Sequence, residues 1–116
     1  MIRLVRLSTG ADGQSQVSEE QVELEPDGTD RASAWAPARE VRFQESPPGA
    51  ELDWHVAPRR QYVITLSGVL EFTTLGGAVF RVGPGDVLLA EDTTGGGHSW
   101  RTVGDDPWRR VYVSLA

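Results

Sequence analysis

Two histidines, His55 and His98, are the residues of this chain best suited to chemistry, and each stands where an apolar strand meets a polar loop. His55 lies in W-H-V-A-P-R-R-Q-Y-V-I-T-L-S-G, residues 54–68, beside a proline break and two arginines. His98 follows G-D-V-L-L-A-E-D-T-T-G-G-G, residues 85–97. Imidazole is a good ligand for most first-row metals, so two histidines with a nearby oxygen donor would suit Fe, Mn, Ni, Cu or Zn. Asp53, Glu91 and Asp92 are the nearby carboxylates that would supply a negative charge. Asp53 shares strand parity with His55 and is the first choice among them. The plainer reading also stands, because an isolated histidine more often serves as a hydrogen-bonding residue than as a ligand. No serine sits in a nucleophile elbow, and no Ser-His-Asp or paired-carboxylate pattern competes.

The neighbours of the histidines extend the candidate site. Arg59 either binds a substrate carboxylate through its guanidinium fork or joins a solvated loop or surface ion pair, and Arg60 reads as solvated or as part of such a pair. On a strand, Trp100 falls on the face of His98 and lines the pocket, whereas Trp54 points away from it. Val63 and Thr65 share the parity of Gln61 and are expected in the pocket wall. Trp35 and Trp108 read as core or interface. His98, at a strand end beside Gly95-Gly96-Gly97, is expected to carry little packing.

The elements that must position these residues are strands. Leu52, Trp54 and Val56 alternate with Asp53 and His55, Pro58 interrupts the ladder, and Gln61 to Leu66 begins a new strand closed by Ser67-Gly68. Val69 to Thr74, Ala78 to Val82, Val87 to Ala90, His98 to Val103 and Trp108 to Leu115 continue a meander punctuated by glycine and proline. Upstream, Gln21 to Glu25 and Arg39 to Glu45 alternate as short strands. Ser8 to Glu20 has the polar composition of an exposed loop. Met1 to Leu7 suits an edge strand or a dimer contact. No stretch carries a 3.6-residue apolar stripe, so the spacing argues for an all-β sandwich or barrel.

Bulk properties narrow the partners. A chain of 116 residues fits a single domain with its own core. It has no cysteine, which removes disulfides and thiolate chemistry. A net charge of −6 works against binding the nucleic-acid backbone. No apolar run approaches the roughly 20 residues of a membrane span, and nothing at the N-terminus reads as a signal peptide, so a cytoplasmic protein is expected. All eleven basic residues are arginine, which carries no functional weight.

These residues resemble the cupin family, a jelly roll or double-stranded β-helix barrel. Its first motif runs Gly, five residues, His-x-His, three or four residues, Glu, six residues, Gly. Here Gly49 precedes His55 by that interval, and Gln61 precedes Gly68 by the other. In the second motif Gly85-Asp86 opens the frame, Glu91-Asp92-Thr93 replaces Pro-x-Gly, and His98 comes two residues late. The match covers residues 47–115, leaving 1–46 as an extension of edge strands and loops. The resemblance implies a divalent metal held in the barrel mouth by His55, Gln61 and His98. Yet Ala57 stands where the second histidine of the first motif would be, and Gln61 where the glutamate would be. Two functions are therefore expected: a metal-dependent enzyme acting on a small organic molecule, of dioxygenase, isomerase or cyclase type, or a non-catalytic small-ligand-binding or sensing protein with a weakened or absent metal site. Small cupins usually associate, so the resemblance also implies a homodimer.

Overall fold

Alternating polarity broken by glycine and proline leaves the backbone few options other than strands, and the chain forms twelve of them with no helix. A computed structural model describes the whole chain, Met1–Ala116. The strands are β1 (Arg3–Thr9), β2 (Ser15–Gln21), β3 (Glu25–Asp27), β4 (Asp30–Ala32), β5 (Ala38–Ser46), β6 (Glu51–His55), β7 (Gln61–Ser67), β8 (Val69–Thr74), β9 (Val79–Val82), β10 (Val87–Ala90), β11 (His98–Val103) and β12 (Trp108–Leu115). One sheet has the order β2-β1-β10-β7-β12-β5, a second has β6-β11-β8-β9, and β3-β4 is a separate hairpin. All pairings are antiparallel except β1 with β10.

The inward faces of the two sheets meet in a core of Val5, Leu7, Val63, Leu70, Phe72, Phe80, Val82, Leu88 and Trp108. Phe72 and Phe80 stack with centroids 5.1 Å apart, and Phe72 meets the Trp108 indole edge-on at 6.4 Å. Truncating a buried aromatic such as Phe72 to alanine removes about 3–5 kcal/mol. Val63, Phe72, Leu88 and Trp108 of this core also line a cavity between the sheets.

Three expectations for the N-terminal region are overturned, the first being a strand over Gln21 to Glu25: Gln21 ends β2, Glu25 opens β3, and residues 22–24 between them are not a strand. Residues 15–20, expected within a loop, belong to β2, which pairs with β1 from Arg3 opposite Gln21 to Thr9 opposite Ser15. The polar composition is that of an edge strand whose carboxylates bridge to its neighbour: Arg3 meets Glu19, and Arg6 meets Glu20 at 2.8 Å. Since β2 covers it, β1 is an interior strand, and the sheet edges are β2 and β5. The edge role expected of Met1 to Leu7 is therefore not available to it. No helix of the chain is long and apolar enough to cross a membrane.

Candidate functional site

β6 and β11 pair antiparallel and bring His55 directly opposite His98. Their ring centroids lie 4.5 Å apart at a steep angle, His98 buried and His55 half-buried. Each ring is fixed through Nδ1. His55 Nδ1 donates to the Asp53 carbonyl at 2.7 Å, and His98 Nδ1 donates to the Asp92 carboxylate at 2.6 Å. A carbonyl or carboxylate can only accept, so each Nδ1 carries a proton, and the neutral form of either ring presents an Nε2 lone pair. Asp92 is fully buried and takes a second hydrogen bond from Ser15 of β2, also 2.6 Å long. Burial pushes the His55 pKa down from its ordinary value, and the neighbouring His98 pushes the same way.

The histidines line a cavity of about 860 Å3 between the two sheets. Gln61 and Val63 of β7, Trp100 of β11 and the mouth residue Arg59 also line it, as expected from the sequence. Further in, Phe72 and Trp108 form an aromatic wall, with Phe72 5.8 Å from His98 and Trp100 4.9 Å from Trp108.

Three expected site residues stand elsewhere or act otherwise. Asp53 is exposed and borders an outer depression, and only its backbone carbonyl serves the site. The cause is a bulge: His98 faces His55 while Trp100 faces Leu52, so three β6 steps match two on β11. That extra residue shifts parity and puts Leu52, not Asp53, on the cavity side with His55. Glu91 lies outside the cavity, bridged to Arg6 at 2.7 Å and to Arg60. Burial works against its charge, but the hydrogen bonds from Arg60 and Arg6 outweigh it and hold the carboxyl below its ordinary value. Thr65 is buried beneath the wall, where its hydroxyl accepts from Trp108 Nε1 at 3.2 Å, so the indole takes the place expected of it. Arg59 takes the second of its two expected roles, a surface ion pair with Glu40 at 3.1 Å. Trp35 is fully exposed, not core. His98, expected to carry little packing, is 4% exposed and bound into the Asp92 network.

Arg110 and Tyr112 of β12 and Ser46 of β5 are cavity residues that the sequence reading missed. Alternation along β12 was the available signal, since Trp108, Arg110, Tyr112 and Ser114 share one parity and all four line the cavity.

The sequence pattern of the cupin domain matches residues 42–114. The chain belongs to the cupin family. Among solved structures, the cupin domain of Cnp3 from Schizosaccharomyces pombe superposes with a TM-score of 0.56 at 18% identity, covering 99% of this cupin and 83% of that chain. A conserved protein with a double-stranded β-helix domain from Klebsiella pneumoniae gives 0.53 at 23% identity, covering 78% and 76%. A conserved protein of unknown function from Streptococcus pyogenes gives 0.52 at 21% identity, and the match spans 65% of this cupin and 61% of that chain. These similarities show the shared fold. No curated protein matches.

Cupins often hold a metal where His55 and His98 lie in this one. The tautomers fit that role, because a ligating histidine commonly donates its other N–H to a carbonyl or carboxylate. The rest of the set does not complete the centre. Ala57 brings no donor, Gln61 brings no charge, and nowhere do three His, Cys, Asp or Glu side chains converge as a metal cluster. The residues fit a weak two-imidazole site and not the full family centre.

Proposed function

We propose that this cupin binds a small organic molecule in its barrel cavity, as a ligand-binding or sensing protein. The observation that carries the reading is the cavity of about 860 Å3, in which the aromatic side chains of Phe72, Trp100 and Trp108 stand among polar groups that include Ser46, His55, Gln61, His98 and Arg110. Small-molecule sites have volumes of about 300–1,000 Å3 and combine apolar and aromatic walls with polar groups that orient the ligand. The substitutions at Ala57 and Gln61 favour binding over metal catalysis. Trp100 and Trp108 report on occupancy, so ligands should change their fluorescence and raise the thermal transition by mass action. Ala90→Phe should fill the cavity beside Gln61 and remove both signals. Ligand responses unchanged in Ala90→Phe would show that binding lies elsewhere.

A second reading is a metal-dependent enzyme on a small organic substrate, of dioxygenase, isomerase or cyclase type. The paired Nε2 lone pairs of His55 and His98 favour it. Bound there with Gln61, an Fe, Mn, Ni, Cu or Zn ion would supply Lewis acidity or oxygen activation. Calorimetric titration separates the readings, with weak binding expected of the natural chain and tight binding of Ala57→His/Gln61→Glu. Equally tight binding by both would establish the metal reading.

We also propose a homodimer, supported by the free edge of β5, where Val41 is 60% and Phe43 74% exposed. Light scattering at micromolar concentrations tests it, and a mass near 12.7 kDa refutes it.

A further inference from the structure

Arg110 lines the cavity at 2% exposure, yet it has no carboxylate partner. Seven other arginines do have one: Arg3, Arg6, Arg59, Arg60, Arg81, Arg101 and Arg109. A buried cation without a counter-ion is unfavourable, and cation–π contact offsets only part of the lost hydration. The guanidinium carbon lies 3.7 Å from the Trp108 centroid and 5.5 Å from that of Tyr112.

The donor inventory shows what is left over. Arg110 Nε donates to the Tyr112 hydroxyl at 3.1 Å, and Nη1 donates to Ser46 Oγ at 2.7 Å and the Trp108 carbonyl at 3.2 Å. A guanidinium has five N–H groups, so both on Nη2 remain without a protein acceptor. The hydroxyls of Ser46 and Tyr112 accept from Arg110, and each keeps its own proton to donate. One positive charge and several free donors thus gather on one wall. The only carboxylates bordering the cavity are Glu40 and Glu51, both exposed, and Glu40 is engaged with Arg59.

We propose that this wall is a carboxylate site and that the ligand of this cupin is a small organic monocarboxylate with a flat, apolar body. The proposal rests on reading the cavity as a small-molecule site. The carboxylate would meet Arg110 Nη2 and the Ser46 and Tyr112 hydroxyls, a charge-assisted arrangement suited to a planar oxyanion. The body would lie against Phe72, Trp100 and Trp108. A polar group at its far end would face His55, Gln61 and His98. Arg42 and Arg59 also border the cavity but are exposed, so Arg110 is its one buried arginine, and a single buried cation with neutral hydroxyls matches one negative charge better than the two of a phosphate.

The test compares benzoate, its neutral isostere benzamide and the dianionic phenylphosphonate, each up to about 10 mM, the range in which fragments of this size bind. Tryptophan fluorescence and calorimetry read the affinities. Benzoate should bind about tenfold or more tightly than benzamide, because a charged hydrogen bond is lost in the amide. Arg110→Met should abolish that preference, weakening benzoate far more than benzamide. Ser46→Ala/Tyr112→Phe, which keeps the charge, should reduce the preference several-fold and guards against a folding defect in Arg110→Met. Equal binding of benzoate and benzamide, or an undiminished preference in Arg110→Met, overturns the carboxylate site while the cavity reading stands. Tighter binding of phenylphosphonate than of benzoate overturns the monocarboxylate class. If none of the three binds, the carboxylate site fails, and the cavity reading fails with it only if Ala90→Phe also leaves every other ligand response unchanged.

Discussion

Replacing Gly97 by alanine should damage both the stability of the barrel and the geometry of the histidine pair. Gly97 adopts φ +76 next to His98, and an added Cβ would overlap the His55 carbonyl oxygen and lie 2.6 Å from its carbon. The conflict is with backbone, so a side-chain rotation cannot relieve it. Gly77, in the turn between β8 and β9, provides the control: its φ is +93, and an added Cβ would meet nothing within 4 Å. Gly77→Ala therefore pays only for left-handed backbone, about 1 kcal/mol after alanine's smaller unfolded-state entropy is counted. Gly97→Ala carries the same backbone strain plus an overpacking penalty of about 1–3 kcal/mol, for a total of about 2–4 kcal/mol. At roughly 4 °C per kcal/mol for a chain of this size, the transitions should fall by about 4 °C and about 8–16 °C respectively. Urea unfolding followed by tryptophan fluorescence measures the difference. Ligand affinity should fall in Gly97→Ala alone, because moving the His55 peptide moves its ring away from His98. Equal destabilisation by both substitutions, with affinity intact, would refute the claim that this loop presses on His55.

Three further outcomes are expected. His55 has a lowered folded-state pKa, so the unfolded chain takes up its proton first, near pH 6.5. Stability should hold above neutrality and fall as pH drops through 6.5 towards the folded pKa, and His55→Gln should show a smaller loss in urea midpoints between pH 7.5 and 5.5. Without ligand, Arg110→Met should be neutral or stabilising by about 1–4 kcal/mol in denaturant unfolding, since a buried unpaired charge is replaced by an apolar chain. His98→Ala should cost about 3–5 kcal/mol, because it leaves the Asp92 carboxylate buried with Ser15 as its only side-chain partner. His98→Ala/Asp92→Ala should recover part of that loss in a double-mutant cycle.

The sequence by itself determined the class of fold and the positions of the two histidines. Period-two alternation and glycine or proline breaks are local properties, so β6 to β12 were legible as strands, and the cupin motif frames placed His55, Gln61 and His98 around one cavity. Polarity misled at β2, because an edge strand with cross-strand ion pairs has the composition of a loop. Tertiary structure decided the rest, since the remaining features depend on pairing between segments distant in sequence. The bulge in β6 exists only against β11, and it turned Asp53 outward and Leu52 inward. Asp92 reached His98 because the Thr93 to Gly97 loop folds back on itself, and Ser15 reached Asp92 from 77 positions away. Arg110 differs locally from Arg109 only in strand parity, and parity alone does not say which face of β12 lies inside. Strand parity puts Arg110 inside without a carboxylate, while Arg109 faces outward and pairs with Glu45 at 2.6 Å. Whether a charge is solvated, paired or left waiting for a ligand depends on which residues surround it, and that is set by the packing of two sheets.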